Sequence, residues 1–378
     1  MPDDTAALEQ LVELSRWFGN TPGWIVAGGG NTSYKTPNTL YVKASGFALA
    51  DITPNGFVAL DRRKLDAMLV NDWPAEEAAR EAAFKDAVMA ARRDPDDARR
   101  PSVEALLHHL VDAPFVVHTH PTVVNALAST TRAVSLAADL APSLTVMPYV
   151  DPGLILSLEL ARFRTAGDPL TDVLLLNHGL VLARETPDAI IADSTQLADT
   201  LTQAINAAPL LPPLPEPNPA ALQTWADAWQ SLAPDNAAAH TTTDTSAAVR
   251  WVATTAEGCA AIAAGPLNPD QIVYARSLPI LIEPDSARSP VDQLAAAEAA
   301  YTDAHGFEPW AAVIADLGLV TRRDSPALAA TTRDILVDAA AIYRDAHRLG
   351  GVTVLDQAQR GFIERWEVEA YRRSIVAG

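Results

Sequence analysis

The chain has 378 residues, room for two or three domains at about 150 residues each. Apolar residues make up 49% and charged residues 20%, which supports a packed core and excludes wholesale disorder. With 28 Lys and Arg against 47 Asp and Glu, the formal charge is −19, so the surface repels nucleic acid and anionic membranes, and an anionic substrate needs a small, locally positive pocket.

A single cysteine, Cys259, excludes a disulfide framework and a Cys-rich zinc site within one chain. The acidic N-terminus is not a secretory signal, and no apolar run reaches about 18 residues, so a soluble cytoplasmic protein is expected.

In chain order, Leu8, Leu11, Val12, Leu14, Trp17 and Phe18 recur at helical spacing over 5–18, and Gly19-Asn20 stops that helix. Gly28-Gly29-Gly30-Asn31 leads into a hairpin over 31–43, with its turn at 36–39. Helices are predicted at 62–70, 74–93 and 102–111. A strand at 114–117 runs into His118-Thr119-His120-Pro121, followed by a helix near 121–130, a strand at 144–147 and a helix near 154–163. A buried-type strand at 173–176 ends in Asn177-His178-Gly179, and a helix covers 187–207.

Six prolines between 209 and 219 mark an extended connector, because proline fixes φ and removes a donor. Beyond it the chain reads as helices, with strands near 272–283 and 311–320. A last helical pattern starts at about 355 and runs through Phe362, Ile363, Trp366, Val368 and Tyr371. No internal repeat at a fixed period is evident. The expected division is 1–207, a connector at 208–235, and a C-terminal α/β domain of unknown role at 236–378.

The strongest chemical signal is His118-Thr119-His120. Residues i and i+2 of a strand share a face, so both imidazoles can reach one ion. An isolated pair is also readily two surface or core histidines. His178, at the end of a second apolar strand, completes a set of three neutral nitrogen ligands of the catalytic-zinc kind, with one position left for substrate. Glu104 opens the helix leading into the histidine strand. It reads either as a general acid/base beside a metal or as a first-turn acid complementing the helix dipole. His108 and His109, a turn further on, read as structural. The glycine run lets backbone N–H groups aim at an anion, with Gly30 and Asn31 at its end. Lys43, Ser45, Gly46 and Ser102 can complete a phosphate cradle.

The stretches GGGNTS (28–33), VKASG (42–46), PSVE (101–104), VVHTHP (116–121) and LNHGL (176–180) resemble, in this order, the class II aldolase/adducin family over about residues 5–205. PYVDPG (148–153), GPLNPDQIVY (265–274) and FIERWEVEAYR (362–372) resemble the aldolase part of the bifunctional rhamnulose-1-phosphate aldolase/alcohol dehydrogenase group. In that group a dehydrogenase domain follows. Here the sequence stops at Gly378, so NAD is not expected.

The resemblance implies a three-layer α/β/α class II aldolase-like sandwich with a mainly antiparallel sheet. The alternation of strands and helices by itself suggests a parallel doubly wound sheet, but the hairpin at 31–43 breaks that pattern. It further implies Zn2+ or another divalent metal on His118, His120 and His178, Glu104 as acid/base, and phosphate recognition by Asn31, Ser45, Gly46 and Ser102. The implied reaction is retro-aldol cleavage of a ketose 1-phosphate in rhamnose catabolism, by a homo-oligomer, a tetramer in the first instance. Val103 stands where a second seryl hydroxyl is expected, and Asp151 where a basic residue is expected. Tyr149 is the tyrosine nearest the position of a proton-donating one and is not assigned that role. Two alternatives stay open: a sugar-phosphate dehydratase of the same family, and a non-catalytic adducin-like scaffold. Glu104 argues against the pentulose-phosphate epimerases, which carry Asp there.

Overall fold

The computed structural model describes residues 4–164, 170–234 and 238–366. The chain divides into two compact units, Met1–Val124 with Val134–Leu201, and Asn125–Ala133 with Thr202–Gly378. Through residue 207 it forms α1 (Thr5–Asn20), β1 (Asn31–Lys35), β2 (Thr39–Lys43), β3 (Phe57–Asp61), α2 (Arg62–Met68), α3 (Glu77–Ala90), α4 (Ala105–Leu110), β4 (Phe115–Thr119), α5 (Thr122–Ala128), α6 (Ala133–Leu140), β5 (Thr145–Met147), α7 (Leu154–Arg164), β6 (Asp172–Leu175), β7 (Gly179–Arg184) and α8 (Pro187–Ala207).

Among the described residues the first unit carries a seven-stranded sheet in the order β3-β2-β1-β4-β7-β6-β5. Only the β5–β6 pair is parallel, which agrees with the mainly antiparallel expectation. Alternation along β1 sorts its side chains between two helical layers. Thr32 bonds Ser15 of α1 at 2.6 Å on one face. Ser33 and Lys35 bond His108 of α4 on the other. Leu11, Leu14 and Phe18 bury the face of α1. On the α4 side, Leu40, Val42 and Leu60 pack with Phe84 and Leu106, while Val116, Val173 and Val181 pack with Leu107, Leu110 and Leu160. Each such side chain contributes about 1.5–3 kcal/mol of burial, which holds α4 against the sheet.

Residues 209–218 carry neither helix nor strand. The second unit then forms α9 (Pro219–Ser231), β8 (His240–Asp244), α10 (Ala247–Thr254), α11 (Ala256–Ala264), α12 (Pro269–Ala275), β9 (Ile280–Ile282), α13 (Pro290–His305), β10 (Ala311–Ile314), β11 (Gly318–Arg323), α14 (Pro326–Arg348) and α15 (Gln357–Arg365). The predicted strand at 272–283 is a helix followed by a short strand. Asn218 starts α9 by accepting from Ala221 N–H, and Asn268 starts α12 in the same way from Gln271 N–H, each with proline in the first turn. Of the final helical pattern, Phe362 and Ile363 are buried on α15; Val368 and Tyr371 lie outside the described residues.

The second sheet has the order β8-β11-β10-β9. Its β9–β10 pair is parallel and its other pairs are antiparallel, the same pattern as β4-β7-β6-β5 in the first unit. The likeness reaches the turns. Asn177 and Asp316 both take positive φ, 54° and 62°. Gly179 and Gly318 both follow two residues later, each leading into Gly-Leu-Val. A Cβ on Gly179 would sit 2.6 Å from the Thr119 carbonyl, and one on Gly318 would sit 2.4 Å from the Asp244 carbonyl. Pro187 and Pro326, eight residues past these glycines, open α8 and α14. The repeat that the linear pattern does not display is thus present in topology.

Candidate metal and acid/base site

β4 is the centre of the first sheet, hydrogen-bonded to β1 on one side and β7 on the other. His118 on β4 lies opposite Asn31 on β1 and Val181 on β7. His120 follows two residues later, just beyond the strand, where Pro121 ends the ladder. His178 reaches the same place from the β6–β7 turn. The left-handed backbone of Asn177 reverses the chain, and the His178 N–H closes on Leu175 O at 3.1 Å. Gly179 then lets β7 approach the Thr119 carbonyl.

The result is a tight triad. His118, His120 and His178 each offer a ring nitrogen within 4.8 Å of the others, and the Nε2 atoms of His118 and His120 are 3.1 Å apart. Two nitrogens on one tetrahedral zinc at about 2.05 Å stand about 3.3 Å apart, so the donor set fits a single divalent cation. His118 Nδ1 faces Leu180 O at 3.0 Å. Nδ1–H donates there, which leaves the Nε2 lone pair toward the centre of the triad.

Glu104 is 4% exposed and sits at the start of α4, which aims its carboxylate into this centre. Oε1 is 3.4 Å from His118 Nε2 and 3.4 Å from His178 Nε2. Oε2 accepts from Asn31 Nδ2 at 2.7 Å. The Glu104 N–H is held by Ser102 Oγ at 3.2 Å. One oxygen is therefore tethered while the other faces the histidines.

The sequence-predicted phosphate residues fall in two neighbouring groups. Gly30 (φ 73°) is packed so that a Cβ would sit 3.2 Å from His118 O, and Asn31 follows it. Gly46 has φ 92°, again the region that glycine favours. Residues 43–45 run beside 100–102: Ser102 N–H donates to Lys43 O at 3.0 Å and Ser45 N–H donates to Arg100 O at 2.8 Å. The two segments VKASG and PSVE are thus adjacent although far apart along the chain. Asn31 differs from its expected role in one respect, because its side-chain amide is engaged by Glu104 and His108.

His109 is structural: it bonds Asp66 at 2.7 Å and accepts from Arg62 Nε at 3.1 Å. Burial lowers its pKa. His108 is different. Its ring joins Ser33 Oγ at 2.7 Å and the Asn31 amide oxygen, a link to the site that its sequence context alone does not reveal. Burial pushes His108 down to about 3, so it is neutral. Lys35, buried beneath it, is lowered to about 7, chiefly by burial and then by Arg62.

In the second unit the same ladder positions carry other residues. Thr119 pairs with Leu180, and Asp244 pairs with Leu319, so His118 and His120 correspond to Thr243 and Thr245, and His178 to Leu317. Leu222, fully buried, lies 3.1 Å from a Cβ built on Gly318, where Gly179 meets the His120 ring.

The family model of the class II aldolase and adducin N-terminal domain matches residues 9–205. The chain belongs to this family, and those residues form its class II aldolase-type domain. The uncharacterized oxidoreductase YuxG of Bacillus subtilis (strain 168) is 29% identical over 211 residues. That match covers 53% of this chain and 30% of the relative, so the chain spans less than a third of the curated relative it matches. Among solved structures, the N-terminal class II aldolase domain of a conserved protein from Thermoplasma acidophilum is 25% identical, covering 52% of this chain and 93% of that one, with a TM-score of 0.47. The L-fuculose-1-phosphate aldolase from Thermus thermophilus is 19% identical, covering 52% and 94%, with a TM-score of 0.34. Among the described residues no helix is long and apolar enough to cross a membrane.

Proposed function

We propose that this chain is a metal-dependent lyase that cleaves a ketose 1-phosphate, rhamnulose 1-phosphate-like, to dihydroxyacetone phosphate and a short aldehyde. The observation that carries the reading is the convergence of three imidazole nitrogens within 4.8 Å beside the Glu104 carboxylate. His118, His120 and His178 would hold the cation, zinc in the first instance. A bound divalent cation would supply Lewis-acid stabilisation of the negative charge that develops as the C3–C4 bond breaks. Loss of the C4 hydroxyl proton to solvent breaks the C3–C4 bond and frees the aldehyde, and Glu104 delivers a proton to C3 to complete dihydroxyacetone phosphate, or removes it in the synthetic direction. Asn31 keeps Glu104 Oε2 occupied, so Oε1 is the oxygen that handles the proton. Backbone N–H groups around Gly30 and Gly46, with Lys43, Ser45 and Ser102, form the phosphate end of the site.

The working division is a catalytic module at 1–207, a connector at 208–235 and an α/β domain at 236–378. Helix α9, inside the connector range, supplies Leu222, Trp225 and Trp229 to the second unit's core. The protein is proposed to act in the cytoplasm as a homo-oligomer. The experiment is a cleavage assay with the zinc-equilibrated chain on a panel of ketose 1-phosphates. Dihydroxyacetone phosphate plus aldehyde supports the aldolase reading. A dehydrated diketone instead assigns the dehydratase, and no turnover with no bound metal assigns the scaffold.

A further inference from the structure

We infer that His108 is a positioning residue that sets the Glu104 carboxylate through the side chain of Asn31. This rests on the acid/base role proposed for Glu104, and it concerns a histidine that touches neither the metal position nor substrate.

The donor and acceptor chemistry of these groups gives the linkage its direction. Glu104 Oε2 is a carboxylate oxygen and accepts, so the Asn31 atom facing it at 2.7 Å is the NH2 group. The Asn31 oxygen must then face His108 Nε2. An amide oxygen only accepts, so Nε2 carries the ring proton. A neutral ring has one such proton, which leaves Nδ1 as the acceptor for the Ser33 hydroxyl at 2.7 Å. Donation therefore runs one way, from Ser33 to His108 to Asn31 to Glu104. With the other tautomer, the Nε2 lone pair would face the Asn31 oxygen. The amide would then turn over and present its oxygen to the Glu104 carboxylate, two acceptors in contact. The tautomer of a ring in the core thus decides whether the carboxylate is held or pushed away.

The frame is rigid. Asn31, Ser33 and Lys35 occupy alternate positions of β1 and share a face. Glu104 and His108 are four apart at the start of α4, and the His108 N–H bonds Glu104 O at 3.1 Å. Lys35 Nζ donates to His108 O at 2.8 Å, which pins the helix backbone under the ring. His108 itself is 0% exposed, so bulk solvent does not compete for these partners.

The test separates positioning from simple core filling. Glutamine places an amide N–H where His108 Nε2 stands, while leucine fills the space with no donor. In His108→Leu, kcat for ketose 1-phosphate cleavage is expected to fall about 100-fold, with KM and bound metal within about threefold of the parent. His108→Gln is expected to recover at least about tenfold of that loss. Independently of activity, long-range 1H–15N correlation on the histidine-labelled, zinc-equilibrated chain is expected to show His108 protonated at Nε2 and bare at Nδ1. A ring protonated at Nδ1, a folded His108→Leu with parental kcat, or a His108→Gln no better than His108→Leu overturns the inference. If the leucine variant does not fold, the glutamine variant and the tautomer decide. If the parent chain cleaves no ketose 1-phosphate, the proposed function fails, and the tautomer alone decides the role of His108.

Discussion

Asn31 donates to Glu104 at 2.7 Å although 73 residues separate the two. The contact exists because β1 pairs with β4 in the register that sets Asn31 opposite His118, and because α4 lays its first residues over that face. A strand side chain thus connects the histidine pair to the Glu104 carboxylate. Removing the carboxylate should remove proton transfer and leave the three nitrogens in place. Glu104→Ala is expected to lower turnover by about 100-fold or more while retaining bound metal, whereas His118→Ala loses both. Paired kinetics and metal analysis check this, and full activity in either variant contradicts it.

Gly179 is a steric requirement of the triad. An added Cβ would meet the Thr119 carbonyl and the His120 ring, both at 2.6 Å. Gly179→Ala is expected to cost about 1–3 kcal/mol in urea unfolding and to weaken metal binding, since β7 must move away from β4. Gly318→Ala makes the equivalent clash in the second unit, with φ 147° adding backbone strain. It should destabilise that unit and leave metal affinity unchanged. Metal titration of the two variants distinguishes them.

Two buried bases give the stability a predictable pH dependence. Lys35 is lowered to about 7, while an unfolded lysine titrates at about 10.4. Between these values the unfolded chain binds the extra proton, so stability rises with pH; below about 7 both states are charged and the desolvation penalty is complete. Lys35→Met is expected to be about 2 kcal/mol more stable than the parent at pH 6, and to lose that advantage by pH 9, where the neutral amine keeps its bond to His108 O. His108, lowered to about 3, acts in the acid window. Its contribution is complete above about 6.5 and is lost as pH falls toward 3. Urea midpoints across pH 4–9 for the parent and Lys35→Met check both limbs.

The class II aldolase-type domain is largely legible in the sequence because its signals are local. Apolar spacing marks α1, the turn chemistry marks the β1–β2 hairpin, and strand-terminal placement marks His118, His120 and His178. What is not legible depends on partners remote in sequence. His108 looks like a core histidine until Asn31, 77 residues away, is brought to its ring. Its position four residues after Glu104 and the alternation of polar Asn31, Ser33 and Lys35 along one strand face are the signals that point to the link.

The second unit is the hardest to read. β8 is His-Thr-Thr-Thr-Asp, half-buried throughout, so it lacks the apolar alternation that marks a strand. The Ile272-Val273-Tyr274 run mimics a strand, but Asn268 and Pro269 commit it to helix. The topological repeat is hidden in the sequence because the positions matching the histidines are Thr243, Thr245 and Leu317, so the most recognisable residues are missing from it.

One divalent cation is expected to sit among His118, His120 and His178, and the second unit, with Thr243, Thr245 and Leu317 at the matching positions, is expected to add none. The direct measurement is metal content per chain after equilibration with Zn2+ and removal of free ion, for the parent and His178→Ala. The expected result is about one zinc per parent chain and close to none in a folded His178→Ala. Equal occupancy in the two proteins, or a folded parent that retains no metal, would contradict it.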